Sequence, residues 1–400
     1  MRRAFRALLP GGVVLLAAVA FFFWQPVSTV EYVATTYGLV VYGAGLALAW
    51  VFHRSRAFAA MCVLGWVEIV ILDEPDRVGL ILALGTVVMA LIGALAVMRD
   101  HGIASPVGST QVLGAGAVAA LADVVFSDPE RVARFSVPVD VLPTSLASWE
   151  VYPAVTLFVA VLGFLFVAFG FHRHRGPIER SFVWSLILLM VAMHPDIGDH
   201  GSALFLMATG LTVTLGIVET SYVMAYRDEL TGLPGRRALM QYLDGIQGTY
   251  AMAMVDIDHF KSFNDKHGHD VGDQVLKLVG SRLAGVKGGG KAYRFGGEEF
   301  TLIFPGRTVE DALPHVEEIR REIAEANFAL RSWRRPRERP EEGPSASRRK
   351  AKAIPRTLSV TVSMGLADTA DGDTDRDEAL KRADDALYRA KRGGRNRIAV

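Results

Sequence analysis

The chain has 400 residues, 43 Lys or Arg against 42 Asp or Glu, and 51% hydrophobic residues, with positive mean hydropathy. One cysteine, Cys62, excludes an internal disulfide and a cysteine-based zinc site and is expected to pack inside an apolar run. The balanced net charge averages two unlike halves, because charged residues concentrate after Tyr226, so it identifies no class of partner.

In chain order, apolar runs of bilayer length fall near 8–25, 33–52, 57–72, 78–97, 108–126, 151–171, 179–194 and 201–219, which predicts an α-helical membrane domain of about eight transmembrane helices. The runs at 57–72 and 179–194 are short for a span and could be re-entrant or lean on a neighbour. With the N-terminus inside, the cytoplasmic segments carry Arg2, Arg3, Arg6, Arg54, Arg56, Arg99, Arg173, Arg175 and Arg180, and the outer ones only Arg77, Arg131 and Arg134. That bias obeys the positive-inside rule and returns the chain to the cytoplasm at Tyr226. The first run follows Met1-Arg2-Arg3, as a signal peptide would, but no convincing small-x-small cleavage site precedes Trp24-Gln25-Pro26, and it is expected to be a retained span.

Acidic and imidazole groups gather toward the expected outer side: Glu68, Asp73, Glu74, Asp76, Asp123, Asp128, His194, Asp196, Asp199 and His200. Glu68 and Asp123 lie within apolar runs, near span ends from which they could reach interfacial water, and are candidates for ligand or proton sensing. His194, Asp196, Asp199 and His200 could bind a metal or simply be solvated. No recognisable ligand motif says what the region senses.

The last run continues through Ile217–Tyr226 with no glycine or proline before Gly232, so a continuous helical connector is expected at 220–227. Val218, Tyr222 and Ala225 recur at spacings of four and three, as a short dimer seam or a bilayer-facing stripe would. From 228 to 400 the pattern becomes α/β. A strand at 250–256 leads to helices near 260–266 and 271–286, then come a β-hairpin, a helix near 308–330, a strand at 357–365, a helix at 376–391 and a short final strand. Segment 331–355 is basic and proline-rich without apolar periodicity, and reads as a mobile insert, solvated or attracted to anionic lipid or a partner.

The hairpin carries the chemistry. In Arg294-Phe295-Gly296-Gly297-Glu298-Glu299-Phe300, two glycines and two glutamates form a tight turn between β-prone segments. Upstream, the apolar strand Tyr250–Val255 ends in Asp256-Ile257-Asp258. If strand and hairpin are neighbours, Asp256 and Glu298 converge. Two carboxylates about 4 Å apart repel by roughly 4 kcal/mol at an effective dielectric of about 20, so converging acids imply a cation, and oxygen ligands suit Mg²⁺.

At this point the sequence resembles the GGDEF family of diguanylate cyclases, in its GGEEF form. The resemblance runs from about Asp228 to the C-terminus. It rests on Asp228-Glu229-Leu230-Thr231-Gly232-Leu233-Pro234, on Asp256–Lys261, on Asn264-Asp265 with Gly268-His269-Asp270 and Gly272-Asp273, on the hairpin, on Val360–Gly365, and on Ala383–Lys391 followed by Gly394-Arg395-Asn396. It implies an α/β palm-like nucleotidyl cyclase domain with a central mostly antiparallel sheet. It also implies condensation of two GTP into cyclic di-GMP and two pyrophosphates by a homodimer, without nucleic acid as a partner.

The same resemblance implies the site. Asp256, the carbonyl of Ile257, and Glu298 would hold the metal, with Glu299 completing a second position for two Mg²⁺, or Mn²⁺, per site. Asn264 and Asp273 would read guanine. Lys261, Lys391 and Arg395 would neutralise the triphosphate, helped by backbone N–H groups of His259 and Phe260, and Glu298 would assist deprotonation. By themselves, Asn264 and Asp273 could equally cap helices, and Lys391 and Arg395 could be the basic end of a helix. The expected setting is the inner (cytoplasmic) membrane, multi-pass in the bilayer, with N-terminus and cyclase domain in the cytoplasm. The alternative function is a non-catalytic GTP-binding or protein-interaction module that relays a membrane signal.

Two departures stand out. Gly235 takes a position usually held by asparagine. Lys287 and Gly290 occupy the positions of the Arg-x-x-Asp that forms the family's inhibitory product site, and lysine cannot make arginine's bidentate guanine contact, so the usual product-inhibition site is expected to be absent.

Overall fold

The computed structural model describes residues 10–73, 78–126, 128, 154–174, 176–326, 328–329, 357–369 and 376–400. The chain divides into two compact units, Met1–Tyr222 and Val223–Val400. The basic insert at 331–355, the loop residues Glu74, Asp76, Arg77, Arg131, Arg134 and Arg175, and Arg2, Arg3 and Arg6 lie outside the described residues.

The first unit is helical: α1 Gly11–Trp24, α2 Val27–Val51, α3 Ser55–Asp73, α4 Val78–Val97, α5 Pro106–Phe126, α6 Ala154–His174, α7 Pro177–Ala192 and α8 Gly198–Tyr226. Among the described residues, six of these helices are long and apolar enough to cross a membrane: α2, α3, α4, α5, α6 and α8. The exceptions are α1, with 14 residues, and α7, with 16. Eight full spans were expected. The run at 57–72, expected to be short, gains three residues by starting at Ser55 and ending at Asp73, whereas α1 begins only after Pro10 and is the shortest of the eight.

In α3, α4 and α8, 61–72% of the apolar window is buried, against 17–28% in α2, α5 and α6. The first three are therefore inner helices and the others present apolar surface outward. Leu39, Val40, Leu113, Leu121, Phe158, Leu165 and Phe169 are all exposed, a greasy perimeter that water would not tolerate and a bilayer would. Small residues let α4 and α6 approach closely: a Cβ added at Gly93 would stand 3.0 Å from the Cα of Gly163, and one at Gly170 would overlap the Ala96 carbonyl.

Three of the arginines that biased the loop count, Arg54, Arg56 and Arg180, are engaged in ion pairs. Arg56 is buried and pairs with Glu179 at 3.0 Å and Asp100 at 3.7 Å, Arg54 pairs with Asp100, and Arg180 with Glu219. They tie α3, α7 and α8 and the α4–α5 loop at one end of the bundle. At the other end His200 lies 3.8 Å from Glu31. Asp123 is exposed on α5, but Glu68, expected near interfacial water, is fully buried.

The second unit contains α9 Arg236–Gly245, β1 Tyr250–Ile257, α10 Phe260–His267, α11 His269–Leu283, β2 Lys291–Gly296, β3 Glu299–Pro305, α12 Val309–Ala324, β4 Phe328–Ala329, β5 Thr357–Leu358, β6 Val362–Asp368, α13 Arg376–Arg392 and β7 Ile398–Ala399. The main sheet has the order β2-β3-β1-β6-β7 and is antiparallel except for the parallel β6–β7 pair. Alternation along β1 feeds two cores. Ala251, Ala253, Val255 and Ile257 join Val275, Val279 and Leu283 of α11 and Val316 and Ile319 of α12. Met252 and Met254 join Leu239 and Leu243 of α9 and Ala383 and Leu387 of α13.

The expected strand at 357–365 is two strands. β5 pairs with β4 in a separate ribbon, and β6 runs from Val362 beside β1, with the Asp258 N–H to Thr361 carbonyl bond at 2.9 Å carrying that register one pair further. The helix expected to reach 330 ends at Ala324, since β4 needs extended backbone at Phe328.

The α4–α6 contact gives a test of the helical unit. Gly170→Val should lower the thermal midpoint in detergent by an amount equivalent to about 1–3 kcal/mol, since the helices must part. Gly114→Ala, at a helical glycine with open space around it, should hold or raise the midpoint. Equal midpoints for Gly170→Val and wild type would refute the close packing.

Candidate active site

Register places the acids. In the β1–β3 pairing Asp256 lies opposite Glu299, and in the β1–β6 pairing opposite Ser363. Glu298 occupies the turn between β2 and β3, where Gly297 adopts φ +49° and the ladder bulges between Arg294 and Gly296. Arg294 fixes this turn from beneath: its Nη1 donates to both Asp228 oxygens at 2.8 Å, and its Nη2 donates to the Gly297 carbonyl at 2.7 Å. Asp228 also accepts from Thr231 N–H and hydroxyl at 2.8 and 2.7 Å. Burial pushes the Asp228 carboxyl up, but the hydrogen bonds from Thr231 and Arg294 outweigh it and hold the group below the usual carboxylate range.

Asp256 is nearly buried, and its Oδ2 meets Lys391 Nζ at 2.9 Å. Burial raises its pKa and the neighbouring Asp258 charge adds to that, against Lys391 and Arg395. Glu298 and Glu299 are likewise raised, by burial first and by the Asp256 charge next, with Lys391 opposing in both. Three acids and one lysine thus share one end of the sheet. Among the described residues no three His, Cys, Asp or Glu side chains close around a single point as a metal cage, and Lys391 is the cation that Asp256 holds. The expected pairing of Asp256 with Glu298 and Glu299 is therefore present as mutual electrostatic influence. Lys391 was expected on the triphosphate, and its contact with Asp256 was not foreseen.

Asp258, the second acid of the motif, is a brace. It accepts from Thr361 Oγ1 and Ser363 Oγ at 2.6 Å and from Asn396 N–H at 3.0 Å, which ties the end of β1 to β6 and to the loop after α13. In that loop Arg395 and Asn396 both have positive φ, at 63° and 45°.

His259 caps α10 from the left-handed region, φ 57°, and makes no side-chain cap; Lys261 is exposed in the first turn. The N-terminal N–H groups of α10, from Phe260 onward, are thereby presented as a helix start presents them to an anion. Asn264 lies at the α10–α11 junction with its Oδ1 buried, without a hydrogen-bond partner, against Gly272. A buried amide oxygen left unpaired costs free energy that a donor from a ligand would recover. Asp273, next in the chain after Gly272, is exposed. The two capping readings fail: neither α10 nor α11 has a side-chain N-cap.

At the position of the usual product site, Lys287 is exposed and paired with Glu318 of α12. A Cβ on Gly290 would stand 2.7 Å from Phe304 and 2.8 Å from Val286, so an aspartate there would clash.

Comparison with protein families matches residues 225–338 to the family described as "Diguanylate cyclase, GGDEF domain". The response regulator PleD of Caulobacter vibrioides is 35% identical over 190 residues, 45% of this chain and 37% of PleD. Diguanylate cyclase DgcM of Escherichia coli is 35% identical over 183 residues, 44% of this chain and 38% of DgcM. This chain therefore spans well under half of those relatives. Among solved structures, the GGDEF domain of DgcB from Caulobacter crescentus in complex with c-di-GMP is 35% identical, with 44% of this chain and 92% of that one covered at a TM-score of 0.36. Residues 225–338 match the GGDEF domain family, and the second unit is similar in sequence to the corresponding parts of PleD and DgcM.

Proposed function

We propose that this chain is a membrane-bound diguanylate cyclase that condenses two GTP into cyclic di-GMP and two pyrophosphates. The observation that carries the reading is the gathering of Asp256, Glu298 and Glu299 with Lys391 at one sheet end, together with an unpaired Asn264 oxygen on α10. Each 3′-hydroxyl attacks the other nucleotide's α-phosphate, forming one phosphodiester and releasing one pyrophosphate, and the second attack closes the ring. One domain holds one GTP, so two copies must face each other as a homodimer. The membrane region, as eight spans with the short α1 and α7 met by local bilayer thinning or leaning on neighbours, would set that pairing and place the cyclase domain in the cytoplasm at the inner membrane.

The acids suit a hard divalent cation. All three offer oxygen, and all three are raised by burial and by a neighbouring acid's charge, a penalty that bound Mg²⁺ or Mn²⁺ relieves. Asp256, the Ile257 carbonyl, Glu298 and Glu299 would hold it, and when bound it supplies positive charge to the phosphates. The protein's own groups do the rest. Lys261, Lys391, Arg395 and the N–H groups of His259 and Phe260 bind the triphosphate, Asn264 and Asp273 orient guanine, and Glu298 assists removal of the hydroxyl proton.

Glu298→Gln should reduce cyclic di-GMP formation by at least about 100-fold, assayed by mass spectrometry of the full chain with GTP and Mg²⁺. The same change should stabilise the protein without nucleotide. A carboxyl whose folded-state pKa is raised contributes most to stability below its unfolded pKa and loses that contribution as pH rises through the folded value, so at neutral pH the ionised Glu298 is a burden that glutamine lacks. A normal turnover, or a lower thermal midpoint at neutral pH, would contradict this account.

Asn264→Ala should weaken GTP binding by about 1–3 kcal/mol while leaving the thermal midpoint nearly unchanged, because the lost oxygen has no partner inside the protein. Unchanged affinity would remove Asn264 from the nucleotide site. Added cyclic di-GMP should leave the initial rate of the full chain unchanged at concentrations well above the product formed, since Lys287 is engaged by Glu318 and Gly290 offers no acceptor. Potent noncompetitive inhibition abolished by Lys287→Ala would show that a product site exists there after all.

A further inference from the structure

Among the described residues of the helical unit, Glu68 is a buried acid whose carboxylate lacks a hydrogen bond. Glu68 of α3 has no exposed surface, and neither carboxylate oxygen has a hydrogen-bond partner. Its surroundings are fitted closely. Any side chain at Gly38 of α2 would overlap Glu68 Oε1. One turn further along α2 lies Tyr42, whose ring rests between two glycines, Gly65 of α3 and Gly210 of α8, with hypothetical Cβ atoms 3.3 and 2.7 Å from it. The Tyr42 hydroxyl is the polar group near the carboxylate, but its single proton goes to the Leu206 carbonyl of α8, at 2.8 Å.

An ionised carboxylate sealed in apolar surroundings is too costly to persist, so it must take up either a proton or a cation. The fit decides between them. A metal ion needs space and several converging oxygens, and here the carboxylate abuts the Gly38 backbone; no cluster of three metal-holding side chains occurs among the described residues. A proton needs neither. Among the described residues no other charge competes for it: α4 has no ionisable residue between Val78 and Val97, and α5 has only the exposed Asp123. The remaining groups of α2 are Glu31, Tyr32 and Tyr37, and α8 has none between His200 and Glu219. On α3 itself Arg56 is twelve residues away, roughly 18 Å along the helix, and is paired with Glu179 and Asp100, Asp73 is the last residue of the helix, five positions on, and Cys62 is nearly two turns off.

We propose that Glu68 is a proton-binding site that governs α8 through Tyr42. With the proton bound, the Glu68 acid donates to Tyr42 Oη, and Tyr42 keeps donating to Leu206. When the proton leaves, the Tyr42 hydroxyl turns its own proton to the carboxylate, and the Leu206 carbonyl is left with its helix bond alone. The ring between Gly65 and Gly210 must then shift. Gly210 belongs to the helix that runs without a break from Gly198 to Tyr226, so the change reaches the segment on which the second unit begins. That this alters cyclic di-GMP synthesis rests on the cyclase reading above; the protonation of Glu68 does not.

The test uses the full chain in lipid nanodiscs, with two readouts. Infrared difference spectra across a pH titration should show a carboxylic acid C=O band that disappears in Glu68→Gln and remains in Tyr42→Phe. Turnover should change by about fivefold or more over the same titration in wild type, and by less than about twofold beyond the pH dependence common to all variants in Glu68→Gln and Tyr42→Phe. A band that survives Glu68→Gln, or one that responds to Na⁺ at fixed pH, would overturn the proton site. A Glu68 band that titrates while all three proteins share one pH–rate profile would overturn the coupling. Absence of any cyclic di-GMP from all three, with the band intact, would count against the cyclase reading and leave the proton site standing. Tyr42→Phe retains the acid and serves if Glu68→Gln does not fold.

Discussion

The eight residues of β1 are buried from end to end, and their register leaves the terminal acid only one place to go. Asp256 belongs to the same alternation as Met252 and Met254, so it faces α13 and not α11 or α12. That helix lies on the sheet backbone to backbone: a Cβ on Gly365, opposite Met254, would overlap Leu387 N and the Ala383 carbonyl. With Ala383 and Leu387 pressed so close, Lys391, one turn beyond, arrives at Asp256. Because β3 pairs on the other side, Glu299 faces Asp256 across the ladder and Glu298 sits on the turn just above. The acid cluster is a consequence of strand register and of one glycine. A slip of one residue in β1 would turn Asp256 toward α11 and α12 and dissolve it.

Such a cluster has to be held together against its own charge. Lys391 offsets part of the repulsion from within, and two braces hold the edges from outside. On the β2–β3 side, Arg294 links the turn carbonyl of Gly297 to Asp228; hydrogen bonds of that kind to a charged group contribute about 1.5–3 kcal/mol each. On the β6 side, Asp258 accepts three hydrogen bonds and locks β1 to Thr361, Ser363 and Asn396. Both braces use acids that are saturated by donors, whereas Glu298 and Glu299 are raised by burial and by like charge. Saturated acids hold the frame, and under-neutralised ones await a ligand.

The elements of the second unit were legible because their signals are local. An unbroken apolar run ending in Asp256 marks β1, Gly296-Gly297 marks the turn, and amphipathic spacing marks α11. The errors come where a distant partner decides. Nothing in Ser359-Val360-Thr361 announces that β5 will pair with β4 in a separate ribbon while β6 stays beside β1. Asp256-Ile257-Asp258 reads as two equivalent acids until topology gives one to Lys391 and the other to Ser363 and Thr361. The contact of Lys391 with Asp256 joins residues 135 positions apart, and only the β1–β6–α13 packing connects them. Asn264 and Asp273 were ambiguous between caps and a ligand site, and the empty cap positions of α10 and α11, with the unpaired Asn264 oxygen, remove the first option.

In the helical unit, hydropathy finds the apolar runs well but cannot tell which helix is inside. Runs of similar hydropathy, α3 and α6, differ more than twofold in buried share. What separates them is the distribution of small and polar residues, which sets how closely neighbours approach. Glu68 shows the same limit. Its place near the end of a run suggests access to water, yet Gly38 and Gly65 bring α2 so near that water is excluded and the acid is sealed beside Tyr42. Each glycine looks unremarkable in an apolar sequence. Their common effect is to convert a costly acid from a solvated end group into a group whose charge state the packing must answer, and the helix that answers is α8.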